Sequence, residues 1–225
     1  MPFFGLYNQI ILNHYLQLCL EFKKVKMFIK RGLVFVIVLM LFQNMAMSQK
    51  LKIGDKAPDF ETTDTNGNII KLSNYKGQKV LIAFFRYAGC PVCNFRIHEL
   101  IENYDSIRSK GYEIIAIFES NTITLKEYLS ETPVPFTVIG DPQLKLYKEY
   151  SVEKSFWKTL SSAFKKQPKE AMKKGNKLFS KKYKRDGNLT RLPADFVVDE
   201  NGMLKIVHYG TNIGDNLPIT EILNN

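Results

Sequence analysis

Two apolar runs stand out along this chain: Lys79 to Arg86 (KVLIAFFR) and Tyr112 to Phe118 (YEIIAIF). Near-continuous apolar stretches of this length predict strands buried on both faces. Between them Ile97, Leu100, Ile101, Tyr104 and Ile107 recur at helical spacing. A single helix is therefore expected from near Cys90 until Gly111 stops it. Pro135 to Ile139 (PFTVI) reads as a third strand, closed by Gly140-Asp141-Pro142, with helices over Thr124 to Ser130 and Leu144 to Tyr150. Ala194 to Val198 and Met203 to His208 flank Asp199-Glu200-Asn201-Gly202, whose Asn-Gly pair is a strong hairpin signal. Ile219 to Leu223 closes the chain as a helix. Residues 51–78 are polar and rich in turn signals, which suggests a short hairpin leading to Leu72. Strands alternating with helical segments predict an α/β fold, a central mixed sheet flanked by helices.

The N-terminal pattern differs. Lys30 and Arg31 precede an apolar run of 11 residues, Gly32 to Phe42, too short to span a bilayer comfortably. Ala46-Met47-Ser48 then places small residues just before Gln49. This is the pattern of a secretory signal peptide over 27–48, with an uncleaved membrane anchor as the alternative. Met27 then reads as the true start, residues 1–26 as a mis-called extension, and residues 49–225 as one domain. The expected location is periplasmic or otherwise extracytoplasmic.

Charge adds one feature. The formal net charge is +10, from 32 basic and 22 acidic residues. Lys154 to Arg185 holds 12 of the basic residues and one of the acidic, so the remainder carries 20 basic against 21 acidic. The basic character therefore belongs to a helical insertion over 151–190. Phe156, Trp157, Leu160 and Phe164 give it an apolar stripe. Such a segment can touch an acidic partner or a membrane surface. No nucleic-acid motif accompanies it, and no nucleic-acid partner is expected.

The candidate chemistry lies in Gly89-Cys90-Pro91-Val92-Cys93, where a buried strand turns into a helix. Cys19 lies upstream of the predicted domain, so Cys90 and Cys93 form an isolated pair. At i and i+3 their thiols face one side of the first helical turn and can close a small disulfide. Pro91 suits the first helical position. The positive end of the helix dipole lowers a thiol pKa there, and Arg86 at the strand end adds to it. Cys90, nearer the helix tip, is expected to be the more exposed thiol. A structural thiol pair is the bland reading. A zinc site needs four ligands, and only His98, His208, Asp195 and Glu99 offer themselves. His98 reads as a surface or half-buried helix residue and His208 as structural, and no metal or cofactor is expected.

FFRYAGCPVCNFRIHEL, PADFVVDENGMLKIVHYG, GDNLPITEIL and the earlier KAPDF resemble the peroxiredoxin-like branch of the alkyl hydroperoxide reductase / thiol-specific antioxidant family. The resemblance implies a thioredoxin-like fold. It places the family's peroxide-reactive cysteine on Cys93. The Thr that precedes that cysteine in the family falls on Cys90 and the motif's Pro on Arg86. The family's later Arg falls on Pro193, where thioredoxins carry a cis-proline. The thioredoxins' buried acid falls near Phe84.

Three functions follow as expectations. In the first, Cys93 reduces a peroxide, Cys90 closes the disulfide and an external dithiol restores the pair. Arg86 and Arg191 stabilise the reacting charges. In the second, Cys90 attacks a protein disulfide in a groove shaped by Pro193 and Pro91, and Cys93 resolves the mixed disulfide. In the third, non-enzymatic, the basic segment binds a partner and the thiols only sense redox state.

Overall fold

The computed structural model describes residues 49–178 and 185–225. The expected signal or anchor segment 27–48 and the extension 1–26 lie outside the described residues. The two long apolar runs form adjacent parallel strands, β3 (Lys79–Phe84) and β4 (Tyr112–Phe118), in register from Lys79 opposite Tyr112 to Phe84 opposite Ile117. β5 (Thr137–Gly140) pairs parallel to β4 on one side. β6 (Ala194–Val198) pairs antiparallel to β3 on the other, and β7 (Leu204–Tyr209) completes the sheet. The order is β5-β4-β3-β6-β7, a mixed five-stranded sheet. The predicted hairpin near the start is the small pair β1 (Glu61–Thr63) and β2 (Ile69–Lys71), with a 3-10 turn after it.

Both faces of the sheet are buried, as the continuous apolar runs require. Leu81 and Ala83 point into one core, with Ile97, Leu100, Phe118 and Tyr128. Val80, Ile82 and Phe84 point into the other, with Tyr147, Tyr150 and Phe196. Helix α1 (Pro91–Glu102) covers the first face.

The single helix expected up to Gly111 is two. α1 stops at Glu102, and α2 (Tyr104–Ser109) begins after Asn103. The Asn103 carboxamide donates to the Glu99 carbonyl at 2.8 Å, a local bond that competes with the helical ladder. Ile107 is still buried, so the apolar period survived the break. Gly111, at φ +83°, supplies the left-handed turn into β4. The strand predicted to Arg86 ends at Phe84, and the later helices are α3 (Thr122–Glu131) and α4 (Lys145–Glu149).

Among its described residues the basic insertion carries two helices, α5 (Phe156–Ser162) and α6 (Lys166–Leu178). Its expected apolar stripe does not pack inward: Phe156, Trp157, Leu160 and Phe164 are all exposed. The insertion is instead anchored by small residues of α6, Pro168, Ala171 and Gly175, which are its buried positions. α7 (Ile219–Leu223) closes the chain, with Ile222 in the core.

Candidate functional site

β3 and β4 end side by side, and the chemistry sits just beyond them. Phe85 still donates its amide to the Ile117 carbonyl (2.8 Å), and Glu119 donates to the Arg86 carbonyl (2.8 Å). The chain then turns through Tyr87-Ala88-Gly89 into Cys90. That turn is held by Ser120, whose Oγ accepts the Ala88 amide at 2.9 Å. Cys90 is the N-cap of α1: its backbone is extended, and its sulfur accepts the Cys93 amide at 3.3 Å. Pro91 follows at the first helical position. Buried Asn94 turns its carboxamide nitrogen toward the carbonyl oxygens of Ala88 (2.7 Å) and Cys90 (3.2 Å), tying the helix back to the turn.

Arg86 organises the electrostatics. Its guanidinium is buried, donating from Nη2 to the Cys90 sulfur at 2.9 Å and from Nη1 to the Leu189 carbonyl at 3.1 Å. Its Nε has no hydrogen-bond partner among the described residues. Burial alone would push the Cys90 thiol up. The Cys93 thiol proton, the Arg86 charge and the Cys93 amide outweigh it and bring Cys90 down to about 6. Cys93 moves the other way: burial and the neighbouring Cys90 charge hold it well above the usual thiol range. One proton thus serves two sulfurs, with the negative charge on Cys90 and the proton on Cys93. Burial works to lower the Arg86 pKa, but the two sulfurs raise it, so this cation stays charged.

Accessibility reverses the sequence expectation. Cys90 is 0% exposed and Cys93 is 6%. Cys93 opens into a narrow cleft lined also by Phe85, Arg86, Val92, Pro193, Ile213 and Asn216. α6 lies across the start of α1, and its Gly175 approaches so closely that a Cβ there would fall 1.8 Å from the Pro91 carbonyl oxygen. Nearby, Lys174 holds its ammonium 5.0 Å above the Phe95 ring. Of the expected groove residues, Pro193 lines the cleft with a trans peptide bond, whereas Pro91 sits under Gly175. Arg191 is not at the sulfurs. It is buried in an ion pair with Glu119, donates to the Val152 carbonyl at 2.6 Å and lies over the Tyr147 ring. The position of the thioredoxins' buried acid holds Phe84, enclosed by Tyr147, Tyr150 and Phe196.

Residues 53–207 match the model of the AhpC/TSA family. This chain belongs to the AhpC/TSA family. It is 30% identical over 108 residues to Peroxiredoxin Bcp of Escherichia coli (strain K12), which covers 47% of this chain and 69% of that protein. It is 28% identical over 118 residues to the chloroplastic Peroxiredoxin Q of Oryza sativa subsp. japonica, 52% of this chain and 54% of that one. The chain thus spans about half the length of the rice relative. Among solved structures it is similar to one from Chlorobium tepidum described as a thiol:disulfide interchange protein DsbE. That likeness, at TM-score 0.51 and 22% identity over 71% of this chain and 86% of that one, is one of fold. The fold is thioredoxin-like.

Within this AhpC/TSA chain, several site residues carried no motif. Glu119 accepts from the Asn188 amide as well as from Arg191. Asp186 accepts from Ser120 Oγ (2.6 Å) and from the Asn121 amide (3.2 Å). The returning end of the insertion is thereby clamped over the turn before Cys90. The available signal was position: Glu119 and Ser120 directly follow a parallel strand, where sites in such sheets collect. The four zinc candidates do not converge. His98 pairs with Glu102, His208 with Asp215, Glu99 with Arg96, and Asp195 accepts the Leu217 amide. Among the described residues no metal-ligating cluster of three occurs.

Proposed function

We propose that this chain reduces small hydroperoxides through Cys93 and Cys90, and that an external dithiol, thioredoxin-like in kind, restores the pair. The observation that carries the reading is the access to the sulfurs. Cys90 is fully buried, and Cys93 meets only a narrow cleft. So narrow a cleft favours the smallest substrates, and a folded protein carrying a disulfide does not reach the buried Cys90. Relatives named peroxiredoxins support the same chemistry.

A peroxide ROOH enters beside Cys93. The Cys93 proton passes to the Cys90 thiolate as the Cys93 sulfur attacks the terminal oxygen. The O–O bond breaks, the alkoxide takes that proton and leaves as ROH, and Cys93 becomes a sulfenic acid. In this reading Arg86, which lines the cleft and has an Nε without a partner among the described residues, stabilises the departing oxygen. The Cys90 thiolate then attacks the Cys93 sulfur and hydroxide leaves, forming the disulfide. A dithiol reduces it by attacking the reachable sulfur, Cys93. Cys90, the lower-pKa thiol, is the better leaving group.

Thioredoxin-like exchange with protein disulfides through Cys90 is the second reading. Its support is the Cys-x-x-Cys pair at a helix N-terminus, and the burial of Cys90 speaks against it. The two predict opposite trapping variants. Under the peroxide reading Cys90→Ser holds on Cys93 a reductant whose own second thiol has been replaced by Ser, and Cys93→Ser traps nothing. Peroxide consumption with added dithiol should fall at least about a hundredfold in Cys93→Ser. A Cys93→Ser protein that consumes peroxide normally, or traps disulfide-bonded proteins through Cys90, overturns the proposal.

The proposal includes export. Residues 27–48 read as a leader or anchor, and N-terminal sequencing of protein from its host should begin at Gln49. It also includes a contact between the Lys154–Arg185 segment and an acidic partner or membrane surface.

A further inference from the structure

Helix α5 is turned inside out. Its inward positions are small and polar: Ser162 is buried and its Oγ accepts the Ile213 amide at 3.1 Å, while Ser155 caps the helix through the Lys158 amide. Its apolar residues point to solvent. Phe156 is 61% exposed, Trp157 76% and Leu160 47%; Phe164, just past the helix end, is 82% exposed. At about 100° per residue, the three helical positions share one arc of about 100°, and Phe164 continues it one turn on. Phe156 and Trp157 pack edge to face, 5.4 Å apart, so the aromatic surface is preassembled. Exposed lysines lie at 154, 165 and 166.

We propose that this outward face of α5 is a docking surface for an anionic lipid membrane. The inference rests on the contact proposed for the Lys154–Arg185 segment, which it narrows to α5 and its flanks, and it is independent of the peroxide reading. Three observations select this occupant. Bulky aromatics and a leucine on one face, flanked by lysines, suit a helix lying in the headgroup region, where rings sit at the interface and ammonium groups meet anionic lipid. The segment from Lys154 to Arg185 carries 12 basic residues and one acidic, so its charge complements such a surface. A second copy of the chain meeting face to face would instead place two of these segments against each other, like charge on like. The proposal separates two roles within the insertion: α6 packs on the start of α1, and α5 meets the membrane.

Trp157 is the only tryptophan of the chain, so its fluorescence reports on this face alone. The full-length chain is mixed with phosphatidylglycerol-containing vesicles, with neutral phosphatidylcholine vesicles, and with none. The expected result is exposed, iodide-quenchable emission without lipid. Anionic vesicles should bring a blue shift and quenching by brominated acyl chains, and raised salt should weaken both. Replacing Phe156 and Phe164 together by Ser should weaken the Trp157 response by at least about tenfold, while peroxide consumption stays unchanged. Three outcomes overturn the proposal. Emission already blue and shielded without lipid means the face is covered by the chain or a second copy. Vesicle capture with unchanged Trp157 emission means another segment binds. An equal response to neutral and anionic vesicles removes the electrostatic argument.

Discussion

At the scale of single residues, the site turns on where one proton sits. Cys90 holds the negative charge because three donors converge on its sulfur: the Arg86 guanidinium, the Cys93 amide and the Cys93 thiol. The Cys90 sulfur also caps the helix, accepting the Cys93 amide at 3.3 Å. Arg86 is the only one of the three donors that brings a full positive charge. Replacing it with Met should return the Cys90 pKa from about 6 toward the ordinary thiol range, read by thiolate ultraviolet absorbance. Peroxide consumption should fall on the order of tenfold to a hundredfold, matching the loss of a charged hydrogen bond of about 1.5–3 kcal/mol. Arg86→Lys should recover only part, since one ammonium does not reach both the sulfur and the Leu189 carbonyl as the fork does. An unshifted titration in Arg86→Met would show that the helix end alone supports the thiolate. The sequence displayed Arg86, Cys90 and Cys93 openly, because a strand running into Cys-x-x-Cys is a local pattern. It hid their order of exposure, because the helix that packs on the start of α1 arrives some eighty residues later. For the same reason Arg191 looked available: its partner Glu119 lies 72 positions away in the chain.

Among the elements, the strands were the most legible. Runs such as YEIIAIF have one stable solution in an α/β domain, burial between helices on both faces, and the structure shows it. The insertion was the least legible, because its helical stripe of aromatics lies in solvent and says nothing of how the segment is anchored. The packing instead uses Pro168, Ala171 and Gly175, residues too small to register in a hydrophobic pattern. Gly175 is required by distance: any side chain there collides with the Pro91 carbonyl. Gly175→Leu should therefore lift α6 from α1 and uncover Cys90. Overpacking of this kind costs about 1–3 kcal/mol, which a denaturant titration can read. The sharper test is alkylation of reduced protein with a small maleimide and with a polymer-linked one, the labelled peptide identified by mass. In the parent protein the large reagent should lag the small one at Cys90 by at least about tenfold, and in Gly175→Leu the two should converge. Equal rates in the parent would mean that α6 does not screen the sulfur, and the size argument for a peroxide substrate would fall with it.

For the whole molecule, two buried thiols with opposite shifts make stability a function of both redox state and pH. Cys90 titrates near 6 when folded and near 9 when unfolded, so across that interval the unfolded chain binds more protons and folding gains as pH rises. Its contribution is complete above the unfolded value and lost as pH falls through about 6. Cys93 is the reverse. Its folded pKa lies well above 9, so its contribution is intact below that value and declines as pH climbs past it. Together they give the reduced protein a stability maximum where the first gain is complete and the second loss has not begun, close to the ordinary thiol pKa. The disulfide form has neither titration, so the difference between reduced and oxidised melting curves isolates the pair from every carboxylate and histidine. That difference should grow in favour of the reduced form between about pH 6 and 8.5 by at least about 1 kcal/mol, some 2–4 °C for a chain of this size. It should then shrink at higher pH. The same linkage favours the reduced state as pH rises through that interval, which makes the disulfide a readier oxidant of its dithiol partner. In Cys90→Ser the reduced protein should lose the rise and keep the decline. Parallel melting curves for reduced and oxidised protein across this range would mean that the buried sulfurs do not share a proton as described, and that Arg86 neutralises some other charge.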